Sequence, residues 1–476
     1  MTKVLMVASE AAPYAKTGGL ADVVGSLPAA LRAIGVPAAV LIPRYRGVEL
    51  AGARRVYDRL TIWLGGSGYE TSVYQLGEEV PYYFLDCPRL YDREGLYGTA
   101  KGDFPDNHIR FAVLSRAALE VARRLFRPTV IHCHDWQAGL VPAYLRTALA
   151  GDPTFVGIKT LFTIHNLGYQ GLFPKAALAE VGLDASLFTP GGVEFYSQLS
   201  FMKAGIVYSD AVSTVSKGYA REIQTPEYGF GLDGLLATRS AVLSGIVNGA
   251  DYSYWSPETD RYLPANYSSA DLSGKRVCKQ VLLRQFGLDS EGAMDSPVIG
   301  IVSRLVGQKG ADLIAEIGGK LAEEDMRLVL MGSGEARYEK AFLELAAAYP
   351  AKIGVRAGIF DEPLAHLIEA GSDMFLMPSR YEPCGLSQIY SLRYGTIPVV
   401  RATGGLDDTI DEDVGFKFQE YTGAAFLEAI QAALDEFRRP DEWSARMRRA
   451  MSKDFSWDVS AREYATLYGR LNLSDA

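Results

Sequence analysis

The sequence predicts an α/β protein made of two doubly wound, Rossmann-like domains, and three observations carry that prediction. Its 476 residues exceed one ordinary core, since a domain takes about 100–200 residues. Short apolar runs alternate with amphipathic stretches through most of the chain, the mark of βαβ units around parallel sheets. Near residues 244–270 the alternation gives way to a stretch without period, and then restarts.

Taken in order, VLMVAS (4–9), AAVLIP (38–43), TVIHCH (129–134), TLFTIH (160–165) and AVSTVS (211–216) read as buried strands. Stretches such as 110–125 and 138–149 read as the helices between them. Residues 56–87 read instead as successive strands of an antiparallel insertion. The stretch SGIVNGADYSYWSPETDRYLPANYSS is rich in Pro, Asn, Ser and Tyr and has no period, which predicts a linker over 246–270 between domains at 1–245 and 271–455. Beyond it, strands are expected at 298–306, 327–334, 352–360, 373–379 and 396–400. Helices are expected at 311–324 and 385–395, with a last one over 457–471. The two domains are expected to face each other across a deep cleft.

Composition narrows the class. Apolar residues make up 48% and charged residues 22%, the balance of a globular protein. A net charge of −9 argues against nucleic acid as partner. No run approaches a membrane span, and the N-terminal apolar stretch is too short for a signal segment. Four scattered cysteines without CxxC spacing suggest a reducing compartment, so a cytoplasmic enzyme is expected.

The motifs fall where such sheets bind ligands, beyond the carboxyl ends of strands. AKTGGLADVV (15–24) and SRLVGQKGADL (303–313) each place a lysine before glycine at a helix start. A tight turn explains Gly18 and Gly19 but not Lys16. A helix N-terminus offers N–H groups and partial positive charge to an anion, so both loops read either as phosphate sites or as turns with solvated lysines. The order is wrong for a Walker A loop. Arg304 and Lys309 can serve one diphosphate, as planar fork and point charge. MGSGEAR (331–337) fails the dinucleotide pattern at its last position. In SRYEPCGLSQ (379–388), Glu382 is either a helix-capping carboxylate or a group in the reacting zone, and the N–H groups of Gly385 and Leu386 are expected to be open to an anion or a sugar oxygen. ATGGLDDTI (402–410) supplies either backbone donors or a simple turn. HCHDWQ (132–137) and HNLGYQG (165–171) end buried strands. The alternation of side chains along a strand is taken to scatter His132, His134 and Asp135, so zinc is not expected; Asp135 and His165 read as polar groups on the cleft floor. Cys384 reads as a packing residue.

KTGGLADV, HDW, TIHNLGYQG, the NG-D stretch, SRL-QKG, SRYEPCGL and TGGL-DT occur in that order over nearly the whole chain. Together they closely resemble bacterial glycogen synthases, relatives of plant starch synthases, which are retaining glycosyltransferases of the GT-B fold. The resemblance implies transfer of glucose from ADP-glucose to the non-reducing end of an α-1,4-glucan (glycogen or a malto-oligosaccharide), with release of ADP and with no metal or other cofactor. It implies a donor-side C-terminal domain and an acceptor-side N-terminal domain completed by a helix over 456–476. It also implies roles. Arg304 and Lys309 neutralise the departing diphosphate, Glu382 contacts the donor glucose, and His165 sits beside the reacting sugar. Lys16 binds the donor from the N-terminal domain, with Gly18 and Gly19 in the same loop. Gly404, Gly405 and Leu406 give backbone donors, Asp22 and Asp135 shape the pocket, and Asn248 lies at the interdomain crossing. By its place before EPLAH, Phe360 holds the position expected to stack on adenine, where tyrosine is frequent; the π face survives without the hydroxyl.

Overall fold

The computed structural model describes residues 2–99, 101–290 and 292–473. The chain divides into two compact units. Unit 1 comprises Met1–Val215, Ala220–Gly249 and Trp457–Ala476, and unit 2 comprises Ser216–Tyr219 and Ala250–Ser456.

Unit 1 is built on nine strands: β1 (Val4–Val7), β2 (Ala38–Pro43), β3 (Arg54–Leu64), β4 (Ser67–Leu76), β5 (Tyr82–Asp86), β6 (Val130–His134), β7 (Lys159–Ile164), β8 (Ala211–Thr214) and β9 (Leu243–Gly245). They lie in the order β9-β8-β7-β6-β1-β2-β5-β4-β3. All neighbours from β9 to β5 run parallel, and β5-β4-β3 continue as an antiparallel meander. β1, β2, β6 and β7 are buried at every position, as strands covered by helices on both faces must be. The helix Trp457–Leu473 belongs to this unit. It buries Trp457, Tyr464 and Tyr468 and packs against the helix Gly19–Ala33. A Cβ at Gly249 would lie 2.6 Å from Trp457, so only glycine lets the chain pass under that ring.

Unit 2 carries β10 (Val298–Val302), β11 (Arg327–Gly332), β12 (Ile353–Ala357), β13 (Met374–Met377), β14 (Ile397–Arg401) and β15 (Phe416–Phe418). Their order is β12-β11-β10-β13-β14-β15, all parallel. Strand order reverses direction at β1 in unit 1 and at β10 in unit 2, the switch points where such sheets open a crevice for ligands.

The stretch expected as a linker is folded from Ala250 onward into unit 2. Asp260 is buried and accepts from the Tyr394 hydroxyl at 2.5 Å, with His366 Nδ1 at 2.7 Å. Trp255 stacks between His366 and Tyr390, with ring centroids 3.7 and 4.2 Å away. Its aromatic content, which breaks the helical period, is what pins it down.

Candidate functional site

In unit 2 the candidate residues converge at the ends of neighbouring strands. The loop after β10 carries Arg304 and Lys309 and leads into the helix Ala311–Leu321. Gly310 caps that helix at φ +76°, and a Cβ there would sit 2.2 Å from the Pro378 carbonyl. Glycine is therefore required, and it brings the loop directly against the end of β13. The glycines of MGSGEAR act similarly. A Cβ at Gly332 or Gly334 would strike the carbonyl of Ser303 or Leu305, so these glycines seat the Arg304 loop and need no nucleotide to explain them.

Beyond β13, Glu382 is buried, and its Oε2 accepts from Lys309 Nζ at 2.5 Å and from Ser379 Oγ at 3.0 Å. A carboxylate drawn out of water needs such partners. One of the three Lys309 donors serves Glu382, which leaves two for a ligand. The Arg304 side chain is exposed. Phe360 lies between the end of β12 and the helix Glu362–Gly371, whose N-cap is Asp361. Its ring is 67% exposed and so available as a stacking face.

One expectation fails after β14. The Gly405 N–H donates to the Glu382 carbonyl at 3.0 Å, and the Leu406 N–H to Thr403 at 3.0 Å. Both donors are consumed inside the unit, that of Gly405 by a carbonyl of the Glu382 loop and that of Leu406 by the carbonyl three residues before it. A Cβ at Gly405 would lie 2.2 Å from the Cys384 carbonyl; the glycine is there so that this loop can press on the Glu382 loop. Together they hold Glu382 from both sides.

In unit 1 the ends of β1, β6 and β7 stand side by side. Lys16 pairs with Asp22 at 2.7 Å, with half of the lysine side chain exposed. Gly18 caps the helix at φ −161°, which any residue adopts, and a Cβ at either Gly18 or Gly19 meets nothing within 4 Å. Neither a left-handed φ at Gly18 nor a close approach at either position, among the described residues, requires glycine here, so the geometry does not support the tight-turn explanation. The loop is fastened by Glu10, which is buried. It accepts from the Thr17 N–H, the Thr17 hydroxyl and the Tyr97 hydroxyl.

Asp135, at the end of β6, has φ +55°, a rare conformation that costs about 1–3 kcal/mol outside glycine. Its Oδ1 accepts from the His165 N–H at 2.7 Å. Burial pushes its carboxyl up to about 7, although the N–H groups of His165 and Asn166 pull the other way. His165 is buried, and burial brings its imidazole down to about 3. Its Nε2 lies 3.0 Å from His134 Nδ1. His132 and His134 do not scatter: two residues apart, they share one face of β6, with ring centroids 4.0 Å apart. Burial lowers both well below the ordinary histidine value. His132 is held by the Tyr468 hydroxyl at 2.8 Å and the Thr163 hydroxyl at 2.5 Å. These are neutral, interlocked rings. Among the described residues no three His, Cys, Asp or Glu side chains are placed to hold a metal ion. Asn248 is buried, with its Oδ1 unpartnered, next to the passage at Gly249–Ala250.

Comparison with known proteins agrees with this geometry. The model of the starch synthase catalytic domain matches residues 3–238, and that of glycosyl transferases group 1 matches residues 289–450. The glycogen synthase of Koribacter versatilis is 49% identical over 474 residues, 98% of this chain and 97% of that protein. That of Myxococcus xanthus is 49% identical over 476 residues, 98% of each chain. The chain belongs to the glycogen synthase family. Among solved structures, the catalytic domain of starch synthase IV from Arabidopsis thaliana, bound to ADP and acarbose, superposes with a TM-score of 0.90 at 33% identity over 99% of both chains. Sucrose-phosphate synthase from Thermosynechococcus elongatus shares the fold, with a TM-score of 0.62 at 18% identity. The two units are thus glycosyltransferase domains of the GT-B class.

Within this glycogen synthase family chain, the residues missed by sequence reasoning are the holders: Glu10, Tyr97, Ser379 and Thr17. Only Glu10 left a signal. It directly follows an apolar strand, the same placement that singled out Glu382.

Proposed function

We propose that the chain transfers glucose from ADP-glucose to the non-reducing end of an α-1,4-glucan with retention of configuration, releasing ADP, as a step of glycogen synthesis in the cytoplasm. The observation that carries this reading is the pair of half-buried Lys309 and buried Glu382 at the switch point of unit 2, with Arg304 on the same loop. Breaking the glucosyl–phosphate bond leaves negative charge on ADP and positive charge on the sugar. Arg304 and the spare Lys309 donors stabilise the first, and the Glu382 carboxylate orients the glucose and offsets the second. Phe360 stacks on the adenine, and Lys16 contributes its charge to the donor. Asp22 orients Lys16, His165 and Asp135 line the sugar side, and Asn248 contributes a polar contact. Gly404, in the loop after β14, faces the donor side, and Gly18 and Gly19 let backbone approach the ligand.

The acceptor hydroxyl attacks the anomeric carbon on the face from which ADP departs. Its proton passes to the leaving phosphate oxygen, which takes the electron pair of the broken bond. No protein nucleophile is needed, and since Arg304 and Lys309 supply the positive charge, activity is expected to survive EDTA. Labelled ADP-glucose and UDP-glucose offered with glycogen test the reading. ADP-glucose should lengthen the glucan with equimolar ADP; release of ADP without lengthening sinks it. A glucosyl adduct on Glu382 or Asp135, sought by mass spectrometry during turnover, would overturn the front-side route. Four free, buried cysteines are compatible with the reducing compartment proposed, and recovery of the protein outside the cytoplasmic fraction would refute that placement.

A further inference from the structure

A small sheet in unit 1 breaks a rule of turn chemistry. Glu194–Phe195 pairs antiparallel with Gln198–Ser200, with Glu194 opposite Leu199 and Phe195 opposite Gln198. Tyr196 and Ser197 are therefore a two-residue hairpin loop, and their φ values are +46° and +65°. Two successive positive φ values mark the type I′ turn, which strongly prefers Asn-Gly because the left-handed region crowds a side chain. Tyrosine at the first position works against the fold. Burial does not compensate, since Tyr196 is 77% exposed.

The neighbours repeat the pattern. Phe230 is another non-glycine residue at positive φ, +48°, and it is exposed. The next residue, Gly231, lies under the Tyr196 ring: a Cβ there would come within 3.2 Å of it. Gln170 Nε2 donates to the Phe230 carbonyl at 3.0 Å. That bond ties the loop to the segment following His165, which carries the exposed Tyr169. Three exposed aromatic residues thus stand on three linked loops: Tyr196 and Phe230 at positive φ, joined through Gly231 beside the Tyr196 ring, and Tyr169 next to Gln170, whose side chain bonds the Phe230 carbonyl. Local rules broken without gain to the fold mark functional surface.

We propose that these three residues are a platform for the glucan chain of the acceptor. The inference rests on the glucan-transfer reading above and specifies where the polymer is gripped. Aromatic rings, two of the three here carrying hydroxyls, suit α-linked glucose, whose C–H faces stack on aromatic surface while its rim hydroxyls bond to polar tips. Ordinary turn chemistry also makes the proposal separable from a structural role, because asparagine is the better residue for the turn.

The experiment compares the full chain with Tyr196→Asn and with Tyr196→Asn/Tyr169→Ala, by electrophoresis through gels with and without glycogen, by thermal melting, and by kinetics. Tyr196→Asn should melt at or above the wild-type temperature. Its glycogen affinity should fall about fivefold to tenfold, as loss of one aromatic anchor implies, and the double variant's further. KM for glycogen should rise while KM for ADP-glucose stays unchanged. Wild-type retardation in either variant overturns the platform, as does absence of glycogen retardation in the wild type. If the wild type is retarded and the variants are not, yet no glucose is transferred, the platform stands and the transfer reading falls.

Discussion

Lys309→Ala probes the centre of the proposed site, because Lys309 has two separable jobs. It neutralises Glu382 in the folded protein and, by proposal, the diphosphate during reaction. The paired side chains are 21% and 6% exposed. Removing one partner of a fully buried ion pair costs about 3–5 kcal/mol. Here the lysine is partly in water, and Ser379 continues to donate to the carboxylate, so about 2–3 kcal/mol is the expected loss. For a unit of this size that is about 4–12 °C in Tm, at about 2–4 °C per kcal/mol. Loss of one donor to developing charge lowers kcat about 100- to 1,000-fold. Lys309→Ala/Glu382→Ala separates the two jobs, since deleting the stranded carboxylate should recover at least about half of the lost stability and none of the activity. Differential scanning calorimetry and initial rates measure both. A single variant melting within about 1 °C of wild type, or a double variant less stable than the single, would refute the buried-pair reasoning.

Further expectations follow from single observations. Glu10→Ala releases the Thr17 and Tyr97 contacts and should raise KM for ADP-glucose well beyond its effect on Tm; an unchanged donor KM would leave Glu10 a fold residue only. Gly310→Ala faces both φ +76° and the Pro378 carbonyl and should lower Tm sharply, whereas Gly18→Ala, with open space around it, should leave Tm unchanged and weaken donor binding. Burial lowers His132, His134 and His165 in the folded state. Unfolded imidazoles therefore take up protons that folded ones refuse, and stability should fall as pH drops below about 6.5. Asp135, raised to about 7, has the opposite sign. It favours folding at low pH and loses that contribution as pH rises from about 4 to 7, so Asp135→Asn should steepen the acid loss in a Tm–pH series. A series no steeper than wild type would place Asp135 in water.

Much of the fold was legible because buried parallel strands write themselves as continuous apolar runs. AAVLIP and the observed β2 coincide at 38–43, and the helix expected to start at 457 starts there. Short strands escaped: Leu243–Gly245 and Phe416–Phe418 hold three residues each, too few to show a period, and the Tyr196 hairpin lacks the Asn-Gly that announces such a turn. At the site, lysines and carboxylates stood out by type. What they touch did not, since Lys309 and Glu382 are 73 positions apart, and whether Gly405 keeps a free N–H depends on a carbonyl supplied by another loop. The scattering of His132 and His134 was a different kind of error: it came from applying strand alternation to residues two apart, which that same alternation places on one face.

Proton NMR of the chain turning over ADP-glucose with a short malto-oligosaccharide tests the central claim most directly. The account predicts that the α-anomeric signal of ADP-glucose gives way to internal α-1,4 signals, one for each ADP released. Free glucose, a β-linked product, or ADP without a lengthened oligosaccharide would contradict it.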